Sequence, residues 1–158
     1  MALVVNDRVK ETSTGISNIG IGLSTGLNLT TGYSNIFMGQ DTGIHSGSSS
    51  RNIVIGNGSF NGLSGSISTC TIVGYQACTG TGHSGSNNTI IGNGAQPSST
   101  SVSNEITLGN ASVTSLRIPG LASGASSGDV LTYDGTDITL SAPTGVSAGF
   151  SIAMAIAL

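Results

Sequence analysis

Two short stretches of the sequence match motifs that carry chemistry in enzymes. Residues 145–149 match the Gly-x-Ser-x-Gly pattern, in which a serine nucleophile lies on a sharp turn from strand to helix. Hydrolases with that turn place their histidine after the serine, whereas His45 and His83 both precede it. Residues 80–85 match the Gly-x-Gly-x-x-Gly fingerprint of dinucleotide-binding sites, but no strand-helix-strand unit surrounds them. Both stretches are therefore predicted to be loops, and no catalytic or cofactor-binding residue is expected.

Metal ligands are also scarce. His45 and His83 stand at different phases of the repeat described below, and the His-x-His spacing of ion sites on fibre axes is missing, so both are predicted to be polar surface residues. Asp134 and Asp137 bracket a short turn, where turn geometry explains the first carboxylate and solvent the second. No metal site is predicted.

A five-residue motif recurs between residues 18 and 117, and the structure that it forms would have to position any functional group in that region. The motif reads Asn-Ile-Val-Ile-Gly at residues 52–56 and Asn-Thr-Ile-Ile-Gly at residues 88–92, and it ends in a glycine at six regular positions. These corner glycines are Gly22, Gly39, Gly56, Gly74, Gly92 and Gly109. A spacing of 17 or 18 residues predicts a solenoid in which each repeat is one coil stacked on the last.

Each copy of this motif also predicts a short strand. Aliphatic or β-branched residues stand one and three positions before the glycine and share one face, as Ile53 and Ile55 do. The intervening position points the other way, yet it too is apolar in four coils: Phe37, Val54, Ile72 and Ile90. Most of these strands therefore have no face suited to water, and a single thin roll can bury only one. We expect a homotrimer in which three rolls cover one another around a common axis.

Three further columns of the repeat have structural explanations. Glycine at the corner reaches positive φ without the penalty of a Cβ atom. A small residue follows three positions later in every coil, as with Thr42 and Ala77. Asparagine stands four positions before the glycine in four coils and is predicted to form a hydrogen-bonded ladder along the stack. Its members are Asn18, Asn35, Asn52 and Asn88, and the column is broken by Cys70 and Glu105.

The amino-acid sequence of these repeats resembles that of a known group of proteins. Residues 73–77 (Val-Gly-Tyr-Gln-Ala), 85–92 (Gly-Ser-Asn-Asn-Thr-Ile-Ile-Gly) and 92–95 (Gly-Asn-Gly-Ala) are similar to the head repeats of trimeric autotransporter adhesins. They resemble still more the related repeats of bacteriophage tail fibres and tailspikes. The resemblance implies a trimeric, left-handed parallel β-roll of about six coils that serves as a stiff rod for display or binding. The predicted fold class is all-β.

The resemblance also gives a setting for the two ends and the cysteines. Residues 1–10 lack the apolar core of a secretory signal, which favours a phage protein assembled in the host cytoplasm over an adhesin fragment, and the location is predicted to be the virion. A reducing cytoplasm favours free, buried thiols at Cys70 and Cys78, with a disulfide as the lesser alternative.

Four segments follow from these patterns. Residues 1–16 are interpreted as a segment that docks on other virion proteins, with a solvated, frayed terminus as the alternative. Residues 17–118 form the rod, and residues 119–128 a linker. Residues 129–158 comprise a β-hairpin around Asp134-Gly135 and an apolar end, residues 150–158. That end is too short to span a membrane and is expected to be buried between chains or against another virion protein.

Composition argues for a rod and against an enzyme. Only 7% of the residues are charged and 4% aromatic, and the net charge is −3, so no basic stripe marks a nucleic-acid partner. Glycosidases need two carboxylates roughly 5–9.5 Å apart. The rod offers Asp41 and Glu105, four coils apart, which is on the order of 19 Å at the spacing of β-strands.

Three functions remain open at this point. The first is a phage fibre or spike that contributes to attachment on a host glycan or protein. The alternative is a decoration or stabilising fibre on capsid or tail without receptor binding, and a second alternative is the head fragment of a bacterial adhesin. No cofactor is predicted for any of them.

Overall fold

Residues 14–44, 47–62, 65–118, 129–133 and 138–141 are described by a computed structural model of the chain. These residues form eight strands and no helix. The strands are β1 (Ile19–Ile21), β2 (Ile36–Met38), β3 (Ile53–Ile55), β4 (Thr71–Val73), β5 (Thr89–Ile91), β6 (Ile106–Leu108), β7 (Val130–Tyr133) and β8 (Ile138–Ser141). The chain divides into two compact units, Met1–Val113 and Thr114–Leu158.

The first six strands make one parallel sheet in sequence order, β1-β2-β3-β4-β5-β6. Each strand pairs in register with the equivalent residues of the next coil, so that Val54 lies opposite Phe37 on one side and Ile72 on the other. Every crossover returns to the neighbouring strand, and the described residues of the crossovers contain no helix, so the six strands form one side of a solenoid. The predicted all-β parallel solenoid is therefore confirmed, with five complete steps between its six strands.

The middle residue of each strand points into the coil. Phe37, Val54, Ile72 and Ile90 are at most 1% exposed and form the centre of the hydrophobic core. The small position after the corner lies beside them, and its side chains are fully buried in the first five coils. They are Thr25, Thr42, Ser59, Ala77 and Ala95. Only small residues fit there because the coil is thin, as the sequence predicted; Ser112 in the sixth coil is exposed.

Left-handed backbone recurs at fixed places in the coil. The residue just before the asparagine column has φ between 55° and 63° in all six coils, including Arg51 and Thr69. The second and fourth residues after the corner repeat this conformation in several coils, as at Asp41 and Cys78. Each such residue reverses the chain within a coil of only 17 or 18 residues. The sequence did not reveal these turns, because side chains other than glycine occupy most of them.

Strands β7 and β8 pair antiparallel, with Val130 opposite Ser141. The predicted Asp134-Gly135 turn and Asp137 lie outside the described residues. So do residues 1–13 of the docking segment, the linker 119–128, His45, the motif at 145–149 and the apolar end at 150–158.

Candidate interaction surface

The outer side of the six-stranded sheet is an unbroken apolar surface. Strand residues on either side of the buried middle position point outward, and we call these twelve residues the outer face. One column contains Ile19, Ile36, Ile53, Thr71, Thr89 and Ile106, and the other contains Ile21, Met38, Ile55, Val73, Ile91 and Leu108. Ten of the twelve are aliphatic or methionine, two are threonine, and none carries a charge.

The outer face is substantially open to solvent in a single chain. Ile19 is 51% exposed, Ile53 41%, Ile91 41% and Ile106 72%. At about 4.8 Å per strand, five steps give a strip on the order of 24 Å tall. Isolated exposed aliphatic residues are ordinary on protein surfaces, but a continuous patch of this kind marks an interaction site.

The asparagine ladder holds this face in register. The side-chain oxygen of Asn35 accepts hydrogen bonds from the backbone N–H and the side-chain amide of Asn52, at 3.1 and 3.0 Å. Asn18 accepts the same pair from Asn35. The second N–H of each amide bonds a backbone carbonyl, as from Asn52 to Ile67 at 3.0 Å. Asn35 and Asn52 are fully buried, so the ladder fixes the coil spacing from inside, as predicted.

Two residues interrupt the ladder in different ways. Cys70 still donates its backbone N–H to Asn52, at 2.9 Å, but its thiol cannot reproduce both bonds of an amide. Glu105 donates its N–H to Asn88 at 2.9 Å and turns its carboxylate to the surface. There the carboxylate accepts hydrogen bonds from the N–H and hydroxyl of Ser98 and from the hydroxyl of Thr107. These bonds lower the pKa of Glu105, with the Ser98 hydroxyl as the largest cause.

The corner glycines stack on one another with no room for a side chain. Their φ values run from 129° to 148° in the first five coils, a region that glycine alone adopts readily. A Cβ atom on Gly22 would lie 2.6 Å from the carbonyl oxygen of Gly39. Glycine is therefore required at the corner for a second reason besides its positive φ, which is the close contact between coils. Gly15, Gly32 and Gly85 are still more crowded, although their φ is not in the left-handed region, a feature that the sequence analysis missed.

The fourth coil gathers the sulfur atoms and one imidazole around a small cavity. Cys70, Cys78 and His83 line it together with Ile67, Ile90 and Val102. Its volume of about 10 Å³ is at the lower limit for one water molecule. Both thiols are free and buried, as the sequence predicted.

His83 is a correction to the sequence analysis, which placed it on the surface. It is 6% exposed, and its Nε2 lies 3.2 Å from the carbonyl oxygen of Thr79. Its backbone pairs with Gly65 in the previous coil, where a Cβ atom would clash with the carbonyl oxygen of His83, so glycine permits this close approach of the two backbones. The fold thus brings His83 to the same cavity as the two thiols, which its position in the sequence did not indicate. Among the described residues, however, no group of three histidine, cysteine, aspartate or glutamate side chains is arranged to hold a metal ion.

Burial makes both cysteine thiols poor nucleophiles at neutral pH. It raises the pKa of Cys78 to about 12, with the nearby Cys70 adding to the shift. Burial also raises the pKa of Cys70, against the opposing effect of the Asn88 and Asn87 backbone N–H groups. Both side chains are therefore protonated at neutral pH, and a protonated thiol is a poor nucleophile.

Aromatic side chains on the surface are few. Phe37 and Phe60 are buried in the core, whereas Tyr33 and Tyr75 are exposed. The guanidinium of Arg51 lies 5.7 Å from the centre of the Tyr33 ring, a cation–π contact at the surface.

Comparison of the chain with protein-family models, with curated proteins and with solved structures gave no match. In the described part of the chain there is no helix long and apolar enough to cross a membrane. The solenoid and its outer face are therefore the features of the described residues that point to a function.

Proposed function

We propose that the chain is a structural fibre protein of a bacteriophage particle and that its solenoid works as a homotrimeric rod. The observation that carries the proposal is the outer face, an aliphatic strip that runs over all six strands. Such a strip is costly to leave in water, at about 25 cal/mol per Å² of apolar surface. A second and third copy of the same strip offer matching shape and matching spacing along the stack.

Three-fold packing suits the chemistry of the strip. The side chains repeat at each coil, so copies aligned in parallel along one axis place like residues at one level. The outer face has no charge that such an arrangement would bring together. The resemblance of the repeats to trimeric adhesin heads and phage fibres supports three copies over two, and it also supports the virion as the location.

Attachment to a host is the first candidate role for the rod, through a glycan or a protein of the host surface. The second candidate, a decoration or stabilising fibre, is favoured by the scarcity of recognition groups. Sugar-binding sites draw on aromatic platforms and carboxylates, whereas the solenoid exposes Tyr33 and Tyr75 with few charges. In either role the terminal segments are proposed to contact other virion proteins, and no catalytic residue is assigned.

Light scattering of the purified chain at micromolar concentration tests the assembly. We expect a mass three times that of the 15.5 kDa chain. A stable monomer would refute the rod as proposed, and a dimer would require a different arrangement of the outer faces. Electron microscopy of intact particles with a labelled antibody then separates the two roles, because an attachment fibre belongs at the tail tip and a decoration fibre on the capsid or tail wall.

A further inference from the structure

The sequence contains three Asn-Gly steps, Asn57-Gly58, Asn61-Gly62 and Asn93-Gly94. Asparagine followed by glycine is prone to spontaneous deamidation, because the backbone nitrogen of the glycine attacks the side-chain amide carbon with little steric hindrance. A nitrogen whose N–H is held in a hydrogen bond of the folded protein is a poor nucleophile in this reaction. The state of the three glycine N–H groups therefore decides which step reacts.

Two of the three steps are held by bonds between coils. The N–H of Gly58 donates to the carbonyl oxygen of Gln40 at 2.9 Å, and the N–H of Gly94 donates to that of Tyr75 at 2.9 Å. Both glycines adopt left-handed backbone, with φ of 65° and 61°. These bonds belong to the ladder that stacks one coil on the next, so breaking them requires local opening of the solenoid.

The third step lacks the equivalent bond. In the first coil the residue at the position of Gly62 is Asn28, whose N–H donates to the carbonyl oxygen of Ile44 at 2.8 Å. The matching acceptor for Gly62 is the carbonyl oxygen of Thr79, which instead lies 3.2 Å from the imidazole Nε2 of His83. Within the described residues the N–H of Gly62 has no acceptor. Asn61 itself is partly exposed, so water reaches its side chain.

We propose that Asn61 is a self-modification site, at which the folded protein deamidates in water alone. The nitrogen of Gly62 loses its proton and bonds to the side-chain carbon of Asn61, and the carbon–nitrogen bond of the amide breaks to release ammonia. Water then opens the resulting succinimide ring to aspartate or to isoaspartate. The product places a new carboxylate on the third coil.

The isoaspartate form disturbs the stack at this point. A Cβ atom on Gly62 would lie 2.7 Å from the carbonyl carbon of Gly80, so the backbone here touches the fourth coil closely. Isoaspartate adds one methylene to the main chain directly before this contact. The modification therefore accumulates with time and disturbs the contact between the third and fourth coils, independently of any role of the outer face.

The test is to incubate the intact protein at neutral and mildly alkaline pH and to locate aspartate and isoaspartate by fragment mass spectrometry. We expect Asn61 to convert several-fold faster than Asn57 or Asn93. In protein held unfolded in guanidinium, the three rates should converge, because each glycine N–H is then free. The variant Asn61→Gln should remove the fast phase, and Asn57→Gln should leave it unchanged.

Two results would overturn the proposal. One is conversion of Asn57 or Asn93 in the folded protein at a rate equal to or above that of Asn61. The other is that Asn61 converts faster than Asn57 and Asn93 in guanidinium by the same factor as in the folded protein. The local sequence, and not the missing hydrogen bond, would then explain the difference. Neither result bears on the trimer, so this test and the light-scattering test fail independently.

Discussion

The inside and the outside of the six-stranded sheet are built from the same kinds of side chain but differ in what surrounds them. Val54 and its column are buried inside the coil, as are the small residues after each corner and the central asparagines of the ladder. Ile53, its neighbour in the same strand, stands 41% exposed. Hydrophobicity alone does not distinguish the two columns. What distinguishes them is that the chain buries one column within its own coil and leaves the other exposed to solvent, and we propose that a second copy covers the exposed one.

The largest effect should come from placing a charge on each side of β3 in turn. Val54→Asp buries a carboxylate without a partner, which costs about 4 kcal/mol or more and should abolish the strand signal in circular dichroism. Ile53→Asp leaves the coil interior unchanged, so the strand signal should persist while the mass from light scattering falls to that of one chain.

Ile53→Thr is the matched control for the outer change, because threonine already occupies that column at Thr71 and Thr89. It should preserve both the strand signal and the assembly. A Val54→Asp protein with native strand content would contradict the inward assignment of that column. An Ile53→Asp protein that still assembles would remove the outer face from the interface.

The corner glycines provide the next test, since they belong to the self-covered side. Gly56 has φ of 132°, and a Cβ atom there would lie 2.6 Å from the carbonyl carbon of Gly74. Gly56→Val should therefore destabilise each chain by about 3 kcal/mol or more through strain and steric contact. The measurement is the urea midpoint of unfolding.

Gly58→Asn is the matched control for Gly56→Val. Gly58 is left-handed as well, with φ of 65°, but a Cβ atom there meets only the Gln76 side chain, at 3.4 Å. Asparagine tolerates left-handed backbone, so this change should cost well under about 1 kcal/mol. Equal losses for the two variants would show that positive φ, and not the contact between coils, sets the requirement for glycine.

The sequence predicted the periodic parts of this structure well and the exceptions poorly. The strands, the inward column and the corner recur in every coil, and the ladder recurs in four, so the sequence repeats the signal for each of them several times. The burial of His83 occurs in one coil only and depends on the neighbouring coils. The left-handed turn at Thr69 recurs in all six coils, but the side chains at that position do not indicate it. Nothing in the spacing of residues shows that the side chain of His83 is buried.

The same limit applies to the candidate surface. An apolar outward column was predictable from alternation, and its continuity over six strands followed from the repeat. The number of copies that cover it is not encoded in the period of one chain, and the trimer remains a proposal. The open N–H of Gly62 was equally beyond sequence reasoning, because it depends on how the next coil places its carbonyl oxygens, such as that of Thr79.

Repairing the ladder should give a smaller effect of opposite sign. Cys70→Asn restores a side-chain oxygen facing the N–H and amide of Asn88 and an amide facing Asn52, in the column where Asn35 and Asn52 are already buried. One or two added hydrogen bonds should raise the free energy of unfolding by about 1–2 kcal/mol. Thermal unfolding of Cys70→Asn beside Cys70→Ala measures this, and the alanine variant should be less stable than the original protein. A lower melting temperature for Cys70→Asn than for Cys70→Ala would mean that the fourth coil has no space for the ladder.

The smallest effect concerns Glu105, where the ladder meets solvent. Its pKa in the folded protein is lowered from 4.5, so its deprotonated form is favoured by folding. The stability that this carboxylate contributes is therefore fully present above pH 4.5 and is lost as the pH falls through the lower, folded-state pKa. Glu105→Gln removes the titration while keeping an oxygen that accepts bonds from Ser98 and Thr107. Melting temperatures of the two proteins, measured from neutral pH downward, should diverge most above pH 4.5 and converge in acid. A difference that stays constant with pH would show that the bonds to Ser98 and Thr107 do not depend on the charge of Glu105.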